Sequence, residues 1–449
     1  MLGAYNLSHM SEQKNEIKLD SIVSLCKRRG FIFPGSDVYG GLSGTWDYGP
    51  LGVALKKNIM NLWWRMFVEE RDDMYGVDAA ILMNQKVWQA SGHVDTFTDP
   101  LVECSNCHGR FRADKLDDLN KCPTCGQTGT FSEPRAFNMM FKTTVGPVDD
   151  ESSISYLRPE TAQGIFTNFK NVVDTFYPDI PFGIAQQGKA FRNEISPRDF
   201  VFRSREFEQM EIEYFVRESE WEAAFEQWRK DIETFLQALG LPVDKVEEVE
   251  VPEADRAHYS RRTIDYEFAF PHGKDELLGL AYRTDFDLGN IQRVSGKSME
   301  YRPKDGSAPF LPHVIEPSFG VERAVMAVLT AAYTEDEVDG EKRVYLRLPA
   351  HLAPVKVAVC PLAKNNEKLV KKAREVYKSL RKEFGSVLWI DSGNIGKNYR
   401  KMDEIGVPYC VTVDFDTLEG DTKDTVTVRS RDTTEQERVK IVKLADTLG

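Results

Sequence analysis

No run of apolar residues in this chain of 449 approaches the ~18–20 that cross a bilayer. No leader is read ahead of the first helix, so the expectation is a cytoplasmic chain with no membrane partner. Also missing is any G-x-x-x-x-G-K-[ST] segment. If nucleotide phosphates are held here, side chains must hold them, because no glycine-rich loop is present to wrap them. Internal repeats and low-complexity tracts are absent, which argues against solenoid and disordered architectures. Excess positive charge is lacking as well: 58 Lys and Arg stand against 71 Asp and Glu, for a net charge of −13. That argues against bulk electrostatic capture of nucleic acid but not against a local basic surface. From His351 onward the balance turns to 18 basic against 15 acidic residues, which permits a polyanion-binding tail without requiring one.

What is present fits a soluble protein of two or three domains, 41% hydrophobic and 29% charged. The opening Met1 to Met10, ending Ser8-His9-Met10, reads either as a cloning remnant or as native chain and is set aside. Four of the seven cysteines fall in Cys104-Ser105-Asn106-Cys107 and Cys122-Pro123-Thr124-Cys125, with 14 residues between the pairs. Two short pairs at that separation suit a tetrahedral zinc site, and four thiolates would leave it closed and structural. Two disulfides, or four unrelated thiols, remain the alternatives. Cys26, Cys360 and Cys410 are isolated and read as buried fillers.

Leu55, Ile59, Leu62, Trp63, Met66 and Phe67 recur at helical spacing behind Gly49-Pro50. Two tryptophans and a phenylalanine on that helix suit a subunit interface, with ordinary core packing as the alternative. The cysteine pairs sit in a polar insertion from Asp99 to about Pro134. A second inserted element begins at Ser219, where Ser219 and Glu222 read as a capping box. Its helical face is Trp221, Phe225, Trp228, Ile232, Phe235, Leu236 and Leu239, ended by Gly240. Strands are expected at Thr263–Phe270 and Glu276–Ala281, and a helix after Gly320-Val321-Glu322-Arg323. Past Leu348-Pro349 the pattern becomes strands and helices in alternation over the remaining residues, a small α/β domain.

The stretch from Phe191 to Glu211 carries the chemistry. Side chains of a strand alternate between faces, so Arg192 and Glu194 point the same way. On the following strand Met210, Ile212, Tyr214 and Val216 form an apolar row, and Phe207, Gln209, Glu211 and Glu213 form the opposite one. A face of Arg, Glu, Phe, Gln and Glu is costly to bury without a ligand that is anionic, planar and hydrogen-bonding. A guanidinium grips phosphate, a carboxylate accepts from an exocyclic amine, and a ring stacks on a base. Taken alone, Arg192 and Glu194 read rather as a structural ion pair than as a substrate grip.

Their company is more specific. Arg192-Asn193-Glu194 with Phe207 resembles motif 2 of the class II aminoacyl-tRNA synthetases, and Gly320-Val321-Glu322-Arg323 resembles motif 3. Gly49-Pro50-Leu51-Gly52, Arg158-Pro159-Glu160-Thr161-Ala162-Gln163-Gly164, Phe207-Glu208-Gln209-Met210-Glu211 and Glu316-Pro317-Ser318-Phe319-Gly320 resemble the homodimeric glycyl-tRNA synthetase family. The likeness runs from about Leu19 to the end. One departure concerns motif 1, whose usual closing proline is not evident after the Leu51–Glu70 helix.

The resemblance implies a class II catalytic domain over 17–348 with an antiparallel sheet. A zinc-bearing insertion near 100–134 and a helical one near 219–260 interrupt it, and an α/β anticodon-binding domain spans 351–449. It implies ATP and Mg²⁺ as well as structural zinc, and glycine, tRNA(Gly) and a second subunit as partners. Arg192 would bridge the glycine carboxylate and the α-phosphate, Glu194 and Phe207 would hold adenine, and Arg323 would hold the γ-phosphate. Asn193, Phe202, Arg203, Leu277 and Gly320 are further expected nucleotide contacts. Glu276, with Glu316 as a second candidate, would bind Mg²⁺, although Glu316 equally suits the amino acid. Glu160, Glu211 and Ser318 are expected around the ammonium, with Arg112, Arg283, Phe207, Gln209, Glu316 and Gly320 also near glycine. Glu276 and Arg283 have opposite parity, so both face one site only if their strand ends or bulges between them.

Overall fold

Alternation over Glu206–Val216 produces an interior strand of the largest sheet in the computed structural model, which describes residues 17–148, 150–338 and 340–449. The opening segment weighed as a cloning remnant lies outside the described residues. In chain order the sheet's strands are β1 (Met74–Gly76), β2 (Phe182–Phe191), β3 (Glu206–Val216), β4 (Val246–Glu250), β5 (Arg262–Phe270), β6 (Gly273–Thr284) and β7 (His313–Gly320). They are arranged β4-β5-β6-β7-β3-β2-β1. Every pairing is antiparallel except the edge pair of β2 with β1, which is parallel. The expected antiparallel sheet therefore carries one parallel edge strand.

The apolar row of β3 faces helices α1 (Pro50–Trp64), α3 (Trp221–Ala238) and α5 (Val321–Ala332). Met210, Ile212, Tyr214 and Val216 join a buried cluster with Trp63, Phe67, Trp228, Phe235 and Phe319. The aromatic face of α1 is thus consumed inside its own chain, because α3 covers it: Phe67 lies 5.7 Å from Trp228 and 5.5 Å from Phe235. This settles Trp63 and Phe67 as core rather than subunit interface. Gly52 lets α1 approach, since a Cβ there would sit 1.8 Å from the Phe31 carbonyl oxygen. On the opposite face, α2 (Ala162–Phe176) packs Phe166 and Phe169 over Phe182 and Phe215. Helix α4 (Phe286–Ser295) follows β6.

The capping box at Ser219 does not form. Glu218–Glu220 make a 3-10 turn, and α3 starts at Trp221 with no side-chain cap. Trp221 stacks on Tyr282 at 4.1 Å and 3°, and that contact fixes the helix start instead.

The C-terminal region has its own sheet of β8 (Val357–Pro361), β9 (Val387–Trp389), β10 (Tyr409–Val413), β11 (Thr425–Ser430) and β12 (Gln436–Lys440), ordered β9-β8-β10-β11-β12. Its first pairs are parallel and its last two antiparallel, with α6 (Glu367–Phe384) and α7 (Ile395–Glu404) beside it. Strand β12 is polar and largely exposed, so no alternation announced it. Arg343, on an unanticipated hairpin strand (Glu341–Leu346), reaches across to the buried Asp403 of α7 at 3.1 Å. Asp403 also accepts two bonds from Arg429, at 2.8 and 2.9 Å. Among the described residues no helix is long and apolar enough to cross a membrane.

Candidate active site

β2 ends at Phe191, so Arg192, Asn193 and Glu194 lie just past the strand rather than within it. The chain stays fastened there, with Arg192 N donating to Arg205 O at 2.9 Å and Glu194 N to Arg192 O at 2.7 Å. The two side chains are not an ion pair. Arg192 Nε donates to the Pro159 carbonyl at 3.1 Å, and its guanidinium lies 5.4 Å from the Phe97 ring and 5.3 Å from the Phe207 ring. Glu194 is buried, yet its Oε2 finds no hydrogen-bond partner among the described residues; the nearest cation is Arg203 Nη1 at 4.0 Å. A buried carboxylate oxygen without a donor is costly and therefore asks for one from a ligand.

These groups face a cavity of ≈ 460 Å³ on the polar side of the sheet. Arg112, Glu160, Arg192, Glu194, Phe202 and Arg203 line it, together with Phe207, Gln209, Glu211, Glu276 and Leu277. Glu316, Ser318, Gly320 and Arg323 complete the set of expected residues on its wall. Two expected residues are not on it. Asn193 instead gives its backbone N–H to Met139 O at 2.7 Å. Arg283 lies behind the wall, 1% exposed, donating to Asp287 at 2.8 and 3.0 Å and to Glu316 at 2.7 Å. Its guanidinium also lies 3.7 Å from the Tyr259 ring.

The parity conflict between Glu276 and Arg283 resolves as a bulge. Glu267 pairs with Glu276 but Tyr266 pairs with Leu278, leaving Leu277 as the extra residue of β6. Beyond it Leu278 and Leu280 join the core while Arg283 shares the polar side with Glu276.

At the closed end of the cavity carboxyls crowd together. Glu211 accepts from Thr161 Oγ1 at 2.5 Å and Ser318 Oγ at 2.7 Å. Burial and the neighbouring Glu160 push its carboxyl up. Burial likewise takes Glu316 up to about 8 against the pull of Arg283, helped by Glu211 and Glu160. Glu160 goes the other way: burial alone would raise it, but His93, Arg283 and Arg192 outweigh that and hold it at about 2. Glu213 is fully buried, neither oxygen has a partner among the described residues, and burial beside Glu316 raises it well above its ordinary range. One buried guanidinium thus serves a group of carboxyls. The closed end holds more carboxyls than cations.

At the open end Arg323 Nη1 meets Glu276 Oε2 at 2.9 Å and the Glu276 carbonyl at 2.8 Å, 4.5 Å from the Phe202 ring. Arg323 holds the Glu276 carboxyl below its usual range. Asp265, which no sequence pattern flagged, also lines the cavity; burial and the charges of Glu276 and Glu267 push it up to about 7. His93 and Ser91 were missed too, since a lone histidine carries no periodic signal. Thr161 lay inside a quoted motif and was passed over.

The four cysteines converge, their sulfurs all within 4.8 Å of one another and none in a disulfide. Cys104–Cys125 and Cys107–Cys122 are 3.7 and 3.6 Å apart, close to the ~3.8 Å edge of a tetrahedron with ~2.3 Å metal–sulfur bonds. Each pair sits on the same turn: His108 N donates to Cys104 O and Gly126 N to Cys122 O, both at 2.8 Å. Such a shell suits a metal ion.

Residues 141–332 match the family described as tRNA synthetase class II core domain (G, H, P, S and T), and residues 356–449 match the anticodon binding domain family. The chain is 49% identical to a glycine–tRNA ligase of Thermobifida fusca, covering 94% of this chain and 96% of that protein. Against glycine–tRNA ligases of Cutibacterium acnes and Deinococcus radiodurans, identity is 48% and 46%. Those matches cover 96% and 95% of this chain, and 96% and 97% of the relatives. With its class II core, anticodon-binding domain and near full-length likeness to these enzymes, the chain belongs to the glycine–tRNA ligase family.

Proposed function

We propose that the protein joins glycine to ATP, releasing pyrophosphate, and then passes glycine from the adenylate to the 3′ end of tRNA(Gly). The observation carrying this reading is the cavity's division into a closed carboxyl-rich end and an open end of guanidiniums with the unpartnered Glu194 oxygen. The closed end suits a small ammonium group and the open end suits a nucleoside triphosphate.

The glycine carboxylate is already a nucleophile, so the first step needs no general base. Catalysis is positioning plus stabilisation of charge growing on the α-phosphate during in-line attack. Arg192, flanked by the Phe97 and Phe207 rings, supplies a guanidinium between the two ends. Glu194 accepts from the adenine amine, Phe207 stacks on the base, and Arg323 holds the γ-phosphate. Glu211, Glu160 and Ser318 surround the ammonium, and Arg283 acts through Glu316 rather than by touching substrate. Mg²⁺ would be held best by Glu276 with Asp265, whose carboxylates line the same part of the cavity beside Gly279. It would neutralise charge on the outer phosphates. Glu316, with Oε1 held by the buried Arg283, belongs to the closed end and is set aside for that metal.

Size exclusion sets specificity, since one added methyl in a closed pocket costs about 1–3 kcal/mol. The region from His351 is the proposed anticodon reader, and the active form a homodimer. Of the basic residues on α6, Lys372 is already paired with Asp424 at 2.7 Å and Arg374 lies 3.6 Å from the Trp389 ring. Lys371 and Lys378 are the freer candidates for a tRNA backbone.

ATP–pyrophosphate exchange tested with glycine, alanine and serine, followed by tRNA charging, checks the reading. Exchange with serine or alanine but not glycine overturns it. Metal analysis is expected to return about one zinc per chain, as one four-thiolate site requires; metal-free protein with reduced cysteines refutes the zinc assignment.

A further inference from the structure

We propose that His93 is a positioning residue for the amino-acid substrate, aiming the Glu160 carboxylate through a line of close polar contacts Ser91–His93–Glu160 that ends at the cavity wall. The proposal rests on the reading above that Glu160 faces the ammonium. Ser91, His93 and Glu160 are 4%, 8% and 8% exposed, so water competes little for these bonds. Ser91 Oγ lies 2.8 Å from His93 Nδ1, and His93 Nε2 lies 3.3 Å from Glu160 Oε2.

The chemistry of the three groups fixes the direction. An ionised carboxylate only accepts, so Nε2 must carry a proton. Nδ1 meets Ser91 Oγ, whose hydroxyl also lies within 3.4 Å of the Trp88 carbonyl. Ser91 thereby holds the ring with Nε2 turned to Glu160. The ring is held between Trp88, edge-on at 5.5 Å and 80°, and Phe97 at 5.3 Å. Asn138 Nδ2 donates to the His93 and Val94 carbonyls at 3.2 and 2.8 Å, pinning the backbone. Phe97 is also the ring beside Arg192, so one short segment supports both ends of the expected intermediate. Glu160 Oε1 has only a long bond from Gln163, 3.4 Å, while that amide makes a shorter one of 2.8 Å to Asp287. One oxygen is anchored and the other is left for the substrate. Without His93, Glu160 would lose the contact that holds Oε2 and turn toward solvent.

The test is glycine-dependent ATP–pyrophosphate exchange on the full chain, with melting curves for each variant. His93→Leu is expected to raise the glycine KM about ten-fold, the scale of one charge-assisted bond, with the ATP KM within about two-fold. His93→Gln, whose amide nitrogen overlies Nε2, is expected to recover to within about three-fold of wild type. Ser91→Ala, the milder change should His93→Leu melt early, is expected to raise the glycine KM about three-fold. In a Glu160→Gln background His93→Leu should add less than about two-fold, because the pair acts as a unit. An unchanged glycine KM in His93→Leu, parallel rises in both KM values, or His93→Gln as impaired as His93→Leu overturns the proposal. If instead Glu160→Gln itself leaves the glycine KM unchanged, the amino-acid assignment of that end fails first.

Discussion

Arg283, at the closed end of the cavity, has a side chain 1% exposed and is fully occupied by Asp287, Glu316 and the ring of Tyr259. Arg323, at the open end, is 24% exposed and holds a single glutamate. The closed end is built before substrate arrives, with bonds among its own side chains and one missing positive charge. The open end keeps groups in reserve, such as the Glu194 oxygen without a donor and the Glu276 carboxylate, 44% exposed. On the proposed reading, a ligand as small as glycine offers few handles, so its site must hold its own shape. A nucleotide with metal brings enough contacts to organise the groups around it.

Removing the keystone of the rigid end should have the largest effect. Arg283→Met leaves Asp287 and Glu316 uncompensated in the interior and is expected to cost about 3–5 kcal/mol of folding stability, read by denaturant melts. A loss below about 1 kcal/mol would mean the closed end is not held by that guanidinium. Arg192→Ala, at the junction of the two ends, is expected to lower kcat for adenylate formation at least ~10²-fold while the melt barely moves. Near-normal exchange removes Arg192 from the chemistry.

The smallest effect sharpens the charge argument. Glu213, Glu316 at about 8 and Glu322 at about 7 are all raised from 4.5. Their folded forms keep a proton that the unfolded chain releases, so their stabilising contribution is complete below about pH 4.5 and is lost as pH rises through 7 to 8. Glu160, held at about 2, has the opposite sign and matters only in acid. The melting temperature of the free chain should therefore fall between about pH 5 and pH 8. Glu213→Gln, a neutral isostere, is expected to flatten that slope and raise stability at pH 8. An unaltered slope would mean Glu213 is ionised in the folded chain.

Wherever one repeating pattern decided the structure, the sequence was readable. The rows of β3, the face of α3 and the strands of the C-terminal sheet other than β12 follow from periods of two and 3.6. The cysteine turns were legible because their ligands are local in the chain. What escaped depended on partners distant in sequence. His93 meets Glu160 only because the chain folds back on itself, and Arg283 turned from the cavity because Asp287 and Glu316 claim it. The capping residues at Ser219 were overruled by the Trp221–Tyr282 stack. The bulge at Leu277 was demanded by parity but its position was not. No single motif around Arg192 distinguished a substrate grip from an ion pair; the neighbouring motifs in order pointed to the grip.

Asp403 has a consequence for distance. Buried completely between Arg343 on one side and Arg429 on the other, it rivets the C-terminal sheet to the catalytic body. Arg431 adds bonds to the Leu348 and Gly406 carbonyls at 2.9 Å, and Glu404 pairs with Arg28 and Arg29. A reading head on a loose tether would sample many separations from the cavity. One riveted in place behaves as a calliper, and an RNA of the wrong span cannot close it at both jaws at once.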